Sequence, residues 1–326
     1  MRRIALDVQV DVPSRSTRKS GRRALSRTAR IHRAAWLFVS PAAVFFLVLI
    51  AFPLVSVVWR SLHFASLTNP SVTGFAGLEN FRTILDDDTF WPALRNTTVW
   101  TALSVAGEYF LGIVSAVALA QPIRGRALFR GAIIIPWVIP IVVAGLDWTW
   151  MLTPDYGVIN LWLVKVGLLD HARFWLGDMS TALLTVTFVN IWRSFPFYTL
   201  SLLAALQAVP QELHEAAAID GAGAMRRFVS ITLPHLKTVS LTLIFIHIIW
   251  TAINFDFIWV MTEGGPLNAS ITVPIMIYRY AMQDYDIGAA CALATMSMAF
   301  MASAFFVYYY GAVRRSRPRR VQGGVQ

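Results

Sequence analysis

The sequence predicts an all-α membrane protein with six transmembrane helices, and three observations predict it. Apolar runs of membrane-spanning length recur along the chain. Charged residues make up only 14% of its 326 residues, against about 25% in a soluble globular domain, and mean hydropathy is +0.57. Lys and Arg gather at the two ends and in alternate loops, the bias of segments that stay in the cytosol. The runs are too long, and too little alternating, for β-barrel strands.

Six segments qualify, at about 36–59, 97–120, 131–151, 181–206, 238–261 and 287–311. At 1.5 Å per residue even the shortest reaches roughly 30 Å, one hydrocarbon core. Pro41, Pro53, Pro136, Pro140 and Pro196 lie in or near the ends of these segments. Membrane helices tolerate proline where neighbours satisfy the freed carbonyls. With the N-terminus inside, residues 121–130, 206–237 and the tail are cytosolic and hold most of the cations. The outer loops hold Arg60, Arg82, Arg95, Lys165, Arg173 and Arg279, and acids such as the run Asp86-Asp87-Asp88.

The expected organisation is a disordered basic cytosolic arm over 1–35, a transmembrane domain over 36–312 and a basic cytosolic tail over 313–326. A cytosolic loop over 207–237 joins the fourth and fifth spans. The lead before residue 36 is too long, and the first apolar run too extended, for a signal peptide. No A-x-A cleavage site follows it, so the run is expected to stay as a helix. The outer connectors are long enough for short interfacial helices.

Several function classes are excluded. A net charge of +10 could suggest nucleic acid, but the charge follows topology, and no zinc-finger spacing or RRM-like motif is present. The lone Cys291 permits neither an intrachain disulfide nor a cysteine metal site. There is no H-E-x-x-H, no G-x-S-x-G and no Walker motif, and the six histidines are scattered. The chain should therefore catalyse nothing and bind no metal or cofactor itself. A channel would need a filter or charged ring. A secondary, ion-coupled carrier is the physical runner-up, though the internal repeats usual in such carriers are not evident.

Charges inside apolar spans are expensive and need a reason. Glu108, Asp147, Arg193 and Asp256 fall there, with Asn190 and Asn254 as neutral hydrogen-bonding groups. In "HIIWTAINFDFIWVMTEGGP", Asn254 and Asp256 stand among Trp250, Phe255, Phe257 and Trp259. Carboxylates and amides bind hydroxyls, and aromatic faces cover the apolar C–H patches of a sugar ring. Structural readings stand beside this one. Arg193 could pair with Glu108 or Asp147, Asp147 could simply meet water, and Asn190 could stitch helices together.

The 207–237 loop reads as helix–turn–helix. Pro210 opens it, Glu212 and Glu215 suit a helix N-terminus, and Gly221 and Gly223 break it. A second amphipathic piece follows, with Phe228, Ile231 and Leu233 opposite Arg226 and Arg227, ended by Pro234. The alanine face of Ala216, Ala217 and Ala218 suits docking into a groove on another protein.

The pattern Glu215-Ala216-Ala217, then Gly221 after three residues, then Ile231 and Leu233-Pro234 after nine more, resembles the signature loop of the inner-membrane permease subunits of bacterial ABC importers. "TPDYGVIN" at 153–160, the stretch 192–223 and the Thr-x-Gly-Gly-Pro at Thr262 resemble the carbohydrate branch of that family. The similarity covers most of residues 36–312 and implies an ABC importer permease (MetI-like) fold.

It also implies partners: a second homologous permease, two ATP-binding cassette subunits that hold ATP and Mg2+, an extracytoplasmic substrate-binding (lipo)protein, a sugar and the lipid bilayer, with no nucleic acid. By the same resemblance Glu215, Ala216, Ala217, Asp220 and Gly221 couple the permease to the ATPase. The substrate pathway is expected along Asn190, Asn254, Asp256, Asp147, Glu108 and Trp259. The chain looks like the short subunits for trehalose, other disaccharides or glycerol phosphate. Asp256 would repel a phosphorylated substrate, so a neutral disaccharide fits better, and trehalose comes first on composition alone. The implied place is the bacterial inner membrane with both termini cytosolic.

Overall fold

The computed structural model describes residues 20–313, apart from 70, 72 and 123. The arm up to residue 19 and the tail beyond 313 lie outside the described residues. The chain divides into two compact units, residues 1–56 and 57–326.

In the first unit α1 (Ser20–Phe46) begins before the expected boundary at 36. It passes through a π-turn at Leu47–Ala51 and continues as α2 (Phe52–Ser61). Pro53 explains the π-turn. A proline ring clashes with the carbonyl four residues back, and one widened turn just before it relieves the clash.

The second unit opens with a small antiparallel hairpin, which the all-α expectation did not include. β1 (His63–Ala65) pairs with β2 (Thr73–Phe75), Phe64 facing Gly74. Then come α3 (Glu79–Leu85), α4 (Phe90–Ala120), α5 (Arg126–Val138), α6 (Ile141–Met151) and α7 (Val158–Lys165). The chain continues through α8 (Ala182–Leu206), α9 (Gln211–Ile219) and α10 (Ala224–Arg227). It ends with α11 (Leu233–Ala252), α12 (Asp256–Thr262), α13 (Val273–Met282) and α14 (Ile287–Tyr308).

Three expected spans differ. Among the described residues four helical stretches are long and apolar enough to cross a membrane: Ala35–Ser61, Phe90–Ala120, Ala224–Ala252 and Ile287–Gly311. The count becomes five if α5 and α6 form one span, but these meet at a 93° bend. Ile139 is extended because Pro140 follows it, which drives the preceding residue out of the helical region. The run expected at 238–261 is also broken, between Ala252 and Asp256. The expected six therefore become four or five by length and hydropathy. α8, expected as a span, is not among them: its 25 residues are long enough, but Asn190, Arg193, Tyr198 and several hydroxyls dilute its apolar content.

Pro234 does not end the amphipathic piece of the 207–237 loop, contrary to expectation. A π-turn at Phe228–Thr232 precedes it, and one continuous helix runs from Ala224 to Ala252. The device is the one seen before Pro53.

The most extensive helix pair is α4 with α8. Lipid is as apolar as leucine, so membrane helices associate through close packing, which small residues permit. A β-carbon on Gly107 would sit 2.5 Å from Cδ1 of Ile191, and one on Gly112 would collide with the β-carbon of Tyr198. Trp100 is fully buried and donates its indole N–H to the Thr251 carbonyl at 2.9 Å, tying α4 to α11.

Buried asparagines organise the connectors. Asn160 donates to the carbonyls of Leu152, Thr153 and Arg173 and accepts from Arg173 N and Trp175 Nε1. Asn96 donates to the carbonyls of Ala269 and Ile271 at 3.1 and 3.0 Å. Arg279 holds the other side of that loop, through Asn268 Oδ1 at 2.6 Å and the Glu263 carbonyl at 2.8 Å.

Asp87 fixes the approach to α4. Its carboxylate accepts from the Thr89 backbone at 2.7 Å, from the Thr89 hydroxyl and from the Tyr280 phenol on α13. Burial works to raise its pKa, but the bonds from Thr89 and Tyr280 prevail and hold the carboxyl below its ordinary value of 3.8. Burial, then the bond to Asp87, pushes the Tyr280 phenol up, so it stays a donor. A depressed carboxylate contributes stability above its unfolded value and loses it as the pH falls through the folded one. Asp87→Asn should therefore lower thermal stability at pH 7 by about 1 kcal/mol, discounted for partial exposure. The gap to wild type should close only at a pH below 3.8. Melting curves that coincide at neutral pH would remove this role.

Candidate functional site

The structure brings two of the expected pathway residues together in the bundle interior. Glu108 lies on α4 with no exposed surface. Its Oε1 accepts from Asn190 Nδ2 on α8 at 3.0 Å, and its Oε2 meets His247 Nδ1 on α11 at 2.8 Å. Asn190 and His247 are themselves buried. The cluster needs three helices, and each contributes one side chain. Aromatic rings enclose His247: Tyr198 at 4.3 Å, Phe197 at 5.1 Å and Trp250 at 5.4 Å between centroids.

Thr101 and Ser104 lie on the same face of α4 as Glu108, three to four residues apart along the helix. Their hydroxyls and His247 Nε2 are buried without a hydrogen-bond partner. The interior therefore has hydrogen-bonding capacity left over beside the cluster. His247 carries no metal-site or catalytic motif in the sequence, and its one signal is that of Asn254, a polar side chain inside an apolar run.

Arg193 pairs with neither Glu108 nor Asp147. Its Nε donates to the Ile139 carbonyl at 3.4 Å, its guanidinium lies 5.9 Å from the Phe257 ring centroid, and its electrostatic partner is Asp256. The Arg193 side chain thus covers the kink between α5 and α6, where Pro140 leaves carbonyls without helical partners.

Asn254, Asp256 and Trp259 lie at the break in the fifth run. Asn254 Oδ1 accepts from the Phe257 backbone at 3.3 Å, acting as a cap for α12. Asp256, exposed, stands in the first turn of α12, where the helix dipole favours an anion. Trp259 stacks on Phe255 at 5.3 Å and meets Tyr278 at 4.5 Å. Asp147 is exposed on α6, which packs against α12. Among the described residues no hydrogen bond joins Asn254, Asp256 or Asp147 to the Glu108 cluster. The arrangement offers two exposed carboxylates, an amide and an aromatic stack, a set suited to a hydroxyl-rich ligand.

In the 207–237 loop, α9 is nine residues long and Asp220 is its C-cap. Gly221 follows at φ +79°, with Ala222 N bonded to the Ala217 carbonyl at 2.8 Å and Gly221 N to the Ala218 carbonyl at 3.1 Å. This is a Schellman closure. A β-carbon on Gly221 would meet nothing within 4 Å, so glycine is needed for conformation and not for space. Glu215 accepts from Gln211 Nε2 at 2.8 Å along the helix. Glu215, Ala216, Asp220 and Gly221 are exposed, Ala217 is half-buried, and Ile219 is 87% exposed. A small, capped helix thus presents an apolar face that the other described residues leave uncovered. Among the described residues no group of three or more His, Cys, Asp or Glu could hold a metal ion.

These features define an all-α multi-pass membrane component with a projecting helical loop. Residues 108–317 match the family described as binding-protein-dependent transport system inner membrane component, and the chain belongs to that family. Its members are transport parts, and this chain has no catalytic step of its own. It is 34% identical over 286 residues to the trehalose/maltose transport system permease protein MalF of Thermococcus litoralis, covering 87% of this chain and 95% of the relative. It is 33% identical over 274 residues to the sulfoquinovosyl glycerol transport system permease protein SmoG of Agrobacterium fabrum, covering 84% and 88%. A chain in the crystal structure of a bacterial ABC transporter involved in import of the acidic polysaccharide alginate superposes with a TM-score of 0.79. That match is 20% identical, covers 90% of this chain and all of the other, and establishes the ABC-importer permease fold.

Removing the Glu108 carboxylate would orphan both Asn190 Nδ2 and His247 Nδ1. An unsatisfied buried group costs about 1–3 kcal/mol. Polar contacts between membrane helices average only about 0.6 kcal/mol, because the separated helices find other partners. Full burial places this cluster above that average. Glu108→Ala should lower the melting temperature of the detergent-purified protein more than His247→Ala does, with Glu108→Gln in between. Equal melting temperatures for Glu108→Ala and wild type would show that the cluster does not hold the bundle.

Proposed function

We propose that this chain is one of two permease subunits of an ATP-driven sugar importer that works by alternating access. The single observation that carries the reading is α9, an exposed helix bearing Glu215-Ala216-Ala217, closed at Gly221 and left uncovered by the other described residues. Two ATPase subunits, which hold ATP and Mg2+, dock on this loop and its counterpart in the second permease. An extracytoplasmic substrate-binding (lipo)protein delivers sugar from the other side. ATP binding and hydrolysis bias two states of the bundle. On this reading α8 is the sixth span and both termini are cytosolic in the bacterial inner membrane, in line with the positive-inside bias.

The substrate is a neutral disaccharide, with trehalose first. A relative named for trehalose and maltose supports this choice, while the relative named for sulfoquinovosyl glycerol keeps the class wider. Asp147, Asn254 and Asp256 bind sugar hydroxyls, and Trp259 covers an apolar sugar face. Glu108 and Asn190 stand behind them on the pathway and set the spacing of α4 and α8.

The test is ATPase activity and uptake by the complete reconstituted complex, screened with trehalose, maltose, other disaccharides and glycerol phosphate. Stimulation by one disaccharide is expected. Uptake that proceeds without the ATPases would sink the reading and favour an ion-coupled carrier. Gly221→Ala should cost α9 about 1–2 kcal/mol of local stability, because an L-residue is forced into the left-handed region. That variant and Glu215→Ala should lower uptake and uncouple ATPase stimulation while membrane insertion stays normal. Asp256→Ala should assemble normally and take up sugar weakly, and unchanged uptake would take Asp256 off the pathway.

A further inference from the structure

A cavity of about 460 Å³ opens at the end of the bundle that carries the 207–237 loop. It lies between the end of α4 at Ala120, the start of α5 at Arg126 and Arg130, and the stretch from Leu206 to Gln211 that joins α8 to α9. Arg126 and Arg130 are one helical turn apart and face the same space. Like charges at that spacing repel. Among the described residues neither arginine has an ion-pair partner. The Nε and Nη2 atoms of Arg130 are buried and make no hydrogen bond. A buried guanidinium N–H without an acceptor is costly and calls for a specific cause. An anion with several oxygens, received by the planar guanidinium fork, supplies what is missing.

The flanking surface says what carries that anion. Phe129 is 52% exposed and stands three residues after Arg126, and Trp137 is 43% exposed and stands seven residues after Arg130. At helical spacing both continue the face that bears the arginines. A phosphate in the cavity would have these apolar side chains along the helix beside it. We propose that Arg126 and Arg130 form a binding site for the phosphodiester of an anionic glycerophospholipid, whose acyl chains lie along α5. Basic pockets between membrane helices bind such headgroups in this way. On the topology proposed above the lipid sits in the cytosolic leaflet. Since Gln207 to Gln211 line the cavity, its occupant touches the hinge from which α9 hangs.

The test is native mass spectrometry of the full permease complex, extracted from vesicles of equal phosphatidylglycerol and phosphatidylcholine. Wild type should retain phosphatidylglycerol preferentially. Retention should fall about fivefold for Arg130→Gln and roughly thirtyfold for the double variant with Arg126→Gln, from the usual contribution of each basic residue to anionic lipid binding. Arg124→Gln, an exposed arginine outside the cavity, should retain lipid as wild type does. Equal losses in all three variants would show general surface charge and overturn the site. Displacement of the lipid from wild type by millimolar inorganic phosphate would assign the cavity to a free anion instead. No preference in the assembled complex, with a crosslink from position 130 to an acidic residue of a partner subunit, would assign it to a protein contact. The readout is lipid retention, so it fails or succeeds independently of transport.

Discussion

Glu108 keeps a carboxyl group with no exposed surface inside a bundle of apolar helices, and it can do so because α8 and α11 each send one side chain to it. In water, burial of apolar area would hold three helices together. In lipid that driving force is absent between helices, and association rests on close packing and interhelical hydrogen bonds. The glycines of α4 provide the first, since Gly107 and Gly112 let α8 approach until a β-carbon would no longer fit. Glu108 provides the second and adds direction, because its two oxygens admit only one relative register of Asn190 and His247.

The polar residues of the apolar runs therefore divide by what they touch. Asn190 and Glu108 have spent their hydrogen bonds on each other and on His247. Arg193 spans a kink, covering the Ile139 carbonyl. Asn254 caps α12 where the fifth run breaks, beside exposed Asp256, and among the described residues neither side chain hydrogen-bonds to α4, α8 or α11. A broken helix in a membrane protein is tolerated only where protein or a water-filled cavity receives its free backbone groups. The break at 253–255 exposes polar groups that hold none of the bundle's interhelical hydrogen bonds, which is why the proposed function puts the solute there.

Much of this was legible in the sequence, and the failures have physical causes. Apolar runs located α8 and α14 within a few residues and the end of α4, whose start at Phe90 lies seven residues earlier than expected, and the Gly221 closure followed from glycine at the end of an alanine-rich helix. Pro234 misled because proline is disruptive in a helix interior, while a preceding π-turn makes it acceptable, and no side-chain pattern announces that turn. The bend at Pro140 and the break at Ile253 were hidden by unbroken hydropathy, since a kinked run is as apolar as a straight one. α8 shows the converse, a helix long enough to span whose polar side chains face other helices. Asn96 holds a connector some 175 residues away and Asn160 gathers two nearby turns, and an isolated asparagine gives no sign of such partners. His247 was visible only as a polar residue out of place.

The continuity of the helix from Ala224 to Ala252 changes what a displacement of α9 must do. Had Pro234 ended that segment, the loop would have been hinged at both sides, and a push on α9 would have dissipated in two flexible joints. Instead α9 hangs from α8 on one side through the short Gln207–Pro210 link. On the other it is held through a Schellman turn to a rigid helix that enters the bundle. These are the two helices that carry Asn190 and His247. If the ATPase subunits of the proposed function push on α9, the force reaches both helices that meet the Glu108 carboxylate, the point where α4, α8 and α11 join.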